Sequence, residues 1–185
     1  MDISERQLIE RFRLGDHAAF EEIVQQWNRD MTNLAYRMTG HLEEAQDIAQ
    51  QCFLKAFQAR STFEGQASLG TWLYRITLNL CRDRIRSDQS RRRVLDAMTQ
   101  TRPRRTHSRP TDTASGGESK VRIAEAVGGL PDKEREVVVL RHYHHLSCRE
   151  IAEMLDTPYT TIKSRLAQGL EKLRLTLRDL NPCSA

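Results

Sequence analysis

The chain has 185 residues, of which 38% are hydrophobic and 29% charged, with a formal net charge of +4. These totals suit one domain or two small ones in a soluble, fairly polar protein, and no apolar run approaches the ~20 residues of a membrane-spanning helix. The opening MDISERQLIERF lacks the basic-then-apolar order of a signal peptide, and Cys52, Cys81, Cys148 and Cys183 fit no metal or redox spacing, so a cytoplasmic protein without cofactor or membrane insertion is expected.

In chain order, the pattern predicts an all-α protein. Leu8, Ile9 and Phe12 trace a first helix, punctuated by Gly15-Asp16. Ala19, Phe20, Ile23, Val24 and Trp27 trace the next, and Leu34, Ala35 and Met38 carry an apolar pattern to Gly40. Leu42, Ala45, Ala49, Cys52, Phe53, Ala56 and Phe57 recur at helical spacing, with Asp47, Gln50, Gln51, Leu54 and Gln58 on the opposite side. Cys52 reads there as a small buried hydrophobe. Residues 63–68 read as a loop and Trp72 to Ile85 as a helix with Leu73, Ile76 and Leu80 inside.

Charge is uneven along this stretch. Residues 1–70 hold 7 Lys+Arg against 11 Asp+Glu, whereas residues 71–93 hold 7 Arg against 2 Asp. An acidic front and a basic stripe carrying Trp72 and Tyr74 point to two partners, one of them polyanionic. Residues 88–118 are rich in Arg, Ser, Thr, Asp, Gly and Pro, too polar to offset ordering entropy by burial, and read as a flexible linker.

A second helical unit follows. Val121 to Val127 is a short helix ended by Gly128-Gly129, and Leu130-Pro131 begins another through Val137, Val138 and Leu140. Ser147 with Glu150 three residues on forms a capping box ahead of Ile151, Ala152 and Leu155. Asp156-Thr157-Pro158 breaks the pattern, with Thr157 able to cap the next helix and Pro158 suited to its first position. Ile162, Leu166, Leu170, Leu173 and Leu177 then line one side of a helix, leaving Tyr159, Thr160, Thr161, Lys163, Arg165 and Gln168 pointing outward. A helix-turn-helix with such an edge is what a DNA major groove accepts. The fold expected is two small helical domains, residues 1–87 and 119–180, joined by the linker at 88–118 and followed by a tail at 181–185.

With these pieces in order, the chain resembles the bacterial RNA polymerase sigma factors of the extracytoplasmic-function (ECF) type. The resemblance rests on Gly15-Asp16 with Ala19-Phe20, on AQDIAQQCFLKAF (45–57), on TFEGQASLGTWLYRITLNLCRDRIR (62–86), and on LPDKEREVVVLRHYHHLSCREIAEMLDTPYTTIKSRL (130–166). It implies a non-catalytic subunit that binds core RNA polymerase, directs it to a −35/−10 promoter and helps melt the −10 element. It implies that residues 1–87 grip the polymerase and the −10 element and that 119–180 grip the −35 element. Asp47, Gln50, Gln51 and Lys55 would then dock on the clamp helices of the largest polymerase subunit. Phe63, Ser68, Thr71, Trp72, Arg75, Asn79, Arg82 and Arg86 would handle −10 DNA, holding an unstacked base on a loop and phosphates along a helix. Tyr159, Thr160, Thr161, Lys163, Ser164, Arg165 and Gln168 would meet the −35 element, with Arg165 reading bases and Lys163 a phosphate. A cognate anti-sigma factor is a further partner that the resemblance implies.

The chain departs from the family pattern at Thr160, where glycine is usual, at Asp156, where glycine or asparagine is usual, and at Gln168 and Leu170, where arginines are common. It also has Gln51 for an acidic residue, Cys148 for an aromatic one, and Leu69 where phenylalanine is frequent. Two other functions fit single features. A helix-turn-helix regulator would need only the second unit, and a metal-dependent sensor would use His142, His144 and His145 with Cys148 nearby.

Overall fold

Asp16 shows how the chain's punctuation is converted into architecture. In the computed structural model, which describes residues 3–65, 68–99 and 117–179, its carboxylate accepts from the Ala18 and Ala19 N–H groups at 2.8 and 3.3 Å. Those donors would otherwise be orphaned at a helix start. The Arg11 Nε holds the other carboxylate oxygen at 2.7 Å. Helix α1 (Ile3–Arg13) thus turns into α2 (His17–Thr39). Gly40, at φ 82°, closes α2 in the left-handed conformation and donates its N–H to the Tyr36 carbonyl at 2.7 Å, the geometry a glycine adopts without a Cβ penalty.

Helix α3 (Leu42–Gln58) runs back against α2. A short 3-10 turn (Arg60–Thr62) and a loop then lead to α4 (Leu69–Thr99). These helices bury Phe12, Ile23, Met31, Leu34, Met38, Cys52, Phe53, Leu73 and Leu78. Thr77 is buried with them, its hydroxyl directed to the Leu73 carbonyl and the Met31 sulfur, both at 3.0 Å. Gly70 is buried where the Trp27 ring crosses α4; a Cβ there would stand 2.3 Å from the nearest ring carbon.

The second unit comprises α5 (Gly117–Gly128), α6 (Asp132–Tyr143), α7 (Cys148–Met154) and α8 (Tyr159–Asp179). Its centre is Leu140, Ile151 and Ile162. Lys172 on α8 closes the side, its Nζ 2.7–2.8 Å from both Glu134 oxygens on α6.

The two units pack against each other. Helix α6 is buried at every residue from Glu134 to Leu140, because α8 covers one side and α2 another. Arg135 reaches across with Nη1 on the Met38 carbonyl at 2.8 Å and Nη2 on the Leu130 carbonyl at 2.7 Å. Arg82 of α4 forms a two-pronged ion pair with Glu136, at 2.6 and 2.7 Å. His144 lies beside Tyr74, its Nδ1 3.2 Å from the phenol oxygen.

Several expectations are corrected. Helix α4 continues from Ile85 to Thr99, into the segment read as linker; the rest of that segment, 100–116, and the 181–185 tail with Cys183 lie outside the described residues. Leu42 is exposed, because it opens α3 before the helix reaches the core. Leu69 begins α4, ahead of the expected start at Trp72, and is buried. Leu170 lies on the outer side of α8, where Gly169 instead meets α6. Met154 joins Ile151 as the buried pair of α7.

Candidate nucleic-acid and protein interfaces

The back of α3 presents Asp47, Gln50, Gln51, Lys55 and Gln58 to solvent around Leu54, which is 61% exposed. The opposite face buries Ala45, Ile48, Ala49, Cys52, Phe53 and Ala56. The 3.6-residue repeat therefore sorts the helix into a packed side and a free side. An amide-rich surface with one apolar centre is suited to docking on another protein, with hydrogen bonds around a buried contact.

The start of α4 forms a second surface. Ser68 caps it: its Oγ accepts from the Thr71 N–H at 3.1 Å and lies 2.9 Å from the Thr71 hydroxyl. Trp72 is half-buried, its ring 5.0 Å from that of Phe63. Arg75 and Asn79 are exposed on the same side, and Arg75 has no ion pair among the described residues. Arg86 extends into solvent, 3.7 Å from Asp83.

Two residues of this surface are placed otherwise than expected. Phe63 is 3% exposed; its ring braces Trp72 and is not presented to a base. Arg82 is occupied. Its Nε and Nη2 hold Glu136, and its Nη1 donates to the Asn79 side-chain oxygen at 3.3 Å. That carboxylate raises the guanidinium pKa above its ordinary value. The remaining arginines of the stripe do not simply repel one another, since Arg84 pairs with Glu44 at 3.1 Å and lies 3.8 Å from Asp88.

The third surface is the leading edge of α8. The capping box is formed: the Ser147 N–H donates to Glu150 Oε2 at 2.7 Å, and the Glu150 N–H to Ser147 Oγ at 3.2 Å. Hydrogen bonding from Ser147, the side chain first and the backbone N–H second, holds the Glu150 carboxyl below the usual carboxylate range. Asp156 makes the turn at φ 47°, a left-handed position that short polar side chains tolerate. Thr157 does not cap α8; its hydroxyl turns back to donate to the Leu155 carbonyl at 3.1 Å. The Pro158 carbonyl accepts instead, from the Thr161 and Ile162 N–H groups at 2.9 and 3.1 Å. Tyr159, Thr160, Lys163, Ser164 and Gln168 are exposed, and Thr161 and Arg165 are half-buried. The Lys163 ammonium lies 5.9 Å over the Tyr159 ring, and Gln168 donates to Ser164 Oγ at 3.3 Å. Ile162 anchors the helix from below.

The histidines do not form a cluster. His144 is turned inward to Tyr74, while His142 and His145 are exposed. Among the described residues no three His, Cys, Asp or Glu side chains are arranged to hold a metal ion.

What sequence reasoning missed is the set Arg37, Tyr74, Arg135, Glu136, Tyr143 and His144, which joins the units. Its one trace in the sequence is α6 itself, where DKEREVVVLRHY spreads valines and charges around every side. A helix without a free face is a helix enclosed by two neighbours.

Residues 23–92 match the family described as Sigma-70 region 2, and residues 120–173 match Sigma-70, region 4. The ECF RNA polymerase sigma factor SigW of Bacillus subtilis (strain 168) is 35% identical over 187 residues, covering 97% of this chain and 100% of that protein. The RNA polymerase sigma-H factor of Pseudomonas aeruginosa is 27% identical, covering 95% of each. Among solved structures, CnrH in complex with the cytosolic domain of CnrY superposes with a TM-score of 0.71 at 23% identity, covering 95% of this chain and 97% of that one.

Proposed function

This chain belongs to the ECF RNA polymerase sigma factors, and from that premise we propose how its surfaces divide the work of initiation. The protein binds core RNA polymerase and directs transcription from promoters with −35 and −10 elements. It is an initiation factor, and the polymerase supplies the chemistry. It acts in the cytoplasm, where polymerase and DNA are; among the described residues no helix is long and apolar enough to cross a membrane.

In this reading the back of α3, with Asp47, Gln50, Gln51 and Lys55 around Leu54, docks on the clamp helices of the polymerase. The first turns of α4 handle the −10 element. Ser68, Thr71, Trp72, Arg75 and Asn79 meet the unstacked strand, Arg82 and Arg86 meet phosphates, and Phe63 supports Trp72 from beneath. The edge of α8 enters the −35 major groove, with Lys163 on a phosphate and Arg165 on base edges, flanked by Tyr159, Thr160, Thr161, Ser164 and Gln168. Residues 1–87 and 119–180 serve as the −10 and −35 domains. An anti-sigma factor is a further partner by inference, since the sigma factor RpoE of Bartonella quintana is seen in complex with the anti-sigma factor NepR.

The observation that supports this division best is that the two basic and polar faces lie on helices of different units, α4 and α8. A regulator reading one operator has use for the second alone, and a metal sensor would find no gathered ligand set among the described residues. Run-off transcription with purified core polymerase and a set of promoter fragments tests the reading. Transcripts dependent on the chain are expected; none above the core-alone background, on any fragment, would sink it.

A further inference from the structure

Helix α4 outruns the domain it belongs to. The family match for the first unit ends at residue 92, whereas the helix runs to Thr99. Beyond Ile85 none of its described side chains joins the core, and Val94 and Leu95 stay 55% and 59% exposed. Most helices are stabilised by packing an apolar face. This extension packs none, so its content lies in what it presents to solvent.

Arg75 and Arg93 are separated by a whole number of turns at about 3.6 residues each, so Arg93 stands in line with Arg75 along the helix. Asn79, Arg82, Arg86 and Gln89 fall within about 40° of that line. The opposite side of α4 is neutralised, since Arg84 lies between Glu44 and Asp88. On the stripe itself, Arg82 is taken by Glu136, and Arg86 has Asp83 at 3.7 Å. Arg75 and Arg93, at its two ends, are exposed and have no ion pair among the described residues. They stand about 27 Å apart along the axis at ~1.5 Å per residue, the length of about eight base pairs of duplex at ~3.4 Å each.

A rod with a free arginine at each end of one stripe can hold one polyanion at two places. The first end is the surface assigned above to the unstacked −10 strand. From the other end the chain runs on to α5 and the −35 unit, so that end is directed towards the spacer, the duplex between the two elements. We propose that Arg93, with half-buried Gln89 one turn before it, binds the phosphate backbone of the spacer duplex next to the −10 element. The inference rests on the −10 role of α4 proposed above and adds a second, sequence-independent DNA site to the same helix. A guanidinium meets a phosphate through parallel N–H donors, and the Gln89 amide supplies another. Such a contact carries no base preference. It fixes the line along which duplex enters the melted region.

Arg93→Gln removes the charge at the site. Arg91→Gln removes the same charge from the other side of the helix, where Arg91 is also exposed and without an ion pair among the described residues. Binding of holoenzyme, assembled from core polymerase and the full chain, is measured against salt on a promoter fragment chosen by run-off transcription. Arg93→Gln should lower the slope of log affinity against log salt by about 1, the loss of one phosphate contact. Arg91→Gln should leave the slope unchanged, and Arg93→Lys should retain it. On a fragment with uncharged methylphosphonate linkages in the spacer beside the −10 element, the wild type should fall to the slope of Arg93→Gln, and the variant should lose nothing more. An unchanged slope in Arg93→Gln would overturn the inference. So would an equal fall in Arg91→Gln, which would reduce the effect to net charge. Additive losses from Arg93→Gln and the uncharged linkages would place the contact elsewhere and overturn it too. These results leave the sigma reading standing, whereas a wild-type holoenzyme that binds no promoter fragment would overturn that reading and this inference together.

Discussion

The guanidinium carbon of Arg37 lies 3.3 Å from the centre of the Tyr143 ring, one residue on α2 and the other at the end of α6. Burial disfavours the Arg37 charge and lowers its pKa, while Tyr143 opposes that shift. A cation on an aromatic face contributes about 0.5–2 kcal/mol, more as water is excluded. The coupling between Arg37→Met and Tyr143→Leu, measured as a double-mutant cycle by urea unfolding of the full chain, should fall in that range. Strictly additive losses would show that the stacking contributes nothing to docking.

His144 gives the junction an acid sensitivity. Burial depresses its pKa from 6.5 to about 4, with nearby Arg37 and His145 lowering it further and Asp30 acting the other way. Its Nε2 is buried without a hydrogen-bond partner. The folded form thus binds fewer protons than the unfolded form between these two values, so stability falls as pH drops from about 6.5 towards about 4, by up to ~1.4 kcal/mol per pH unit. His144→Phe should flatten this slope in the upper part of the window, pH 5 to 6.5, ahead of the carboxylates. Equal slopes in wild type and variant, by denaturant midpoint against pH, would remove His144 as the cause.

Gly70→Ala tests the seam between α2 and α4. The added methyl would meet the Trp27 ring at 2.3 Å, and overpacking of this kind costs about 1–3 kcal/mol despite the better helix propensity of alanine. A lowered urea midpoint with an unchanged m-value is expected. A variant as stable as the wild type would mean that the ring swings clear at no cost.

On α8, Lys163→Ala and Arg165→Ala should separate positioning from reading. Loss of a phosphate contact weakens binding on all sequences alike and lowers the salt slope by about 1, whereas loss of a base contact costs about 1–3 kcal/mol on the preferred sequence and relaxes preference at one position. Binding of labelled −35 variants by the holoenzyme distinguishes the two. Unchanged discrimination in Arg165→Ala would exclude base reading by that side chain.

Local signals were the ones written plainly in the sequence. Asp16 caps α2, Gly40 ends it, Ser147 and Glu150 form their box, and α3 divides into its two faces. Each depends on residues a few positions apart. Composition and propensity disagree over SDQSRRRVLDAMT (87–99): it is poor in apolar residues, yet it has no glycine or proline and carries good helix formers, so α4 continues through it. The junction was illegible for a different reason. Nothing near Glu136 in the chain shows that an arginine 54 positions away will face it, and the buried polar run of α6 reads as ordinary until both neighbours are in place. Phe63 is illegible for the same reason: a loop aromatic reads as available, whereas Trp72 rests on its ring.

The length of α4 also makes the chain a measuring device. Its 31 residues form a rod of roughly 45 Å at ~1.5 Å per residue, so its far end at Thr99 is carried well away from Trp72. From there to Gly117 the backbone can stretch at most about 60 Å, even fully extended at ~3.3–3.6 Å per residue. That ceiling corresponds to roughly 18 base pairs of duplex at ~3.4 Å each. Under the proposed division of −10 and −35 contacts, lengthening or shortening the stretch between α4 and α5 should therefore change how far apart two DNA words can lie and still be spelled by one molecule.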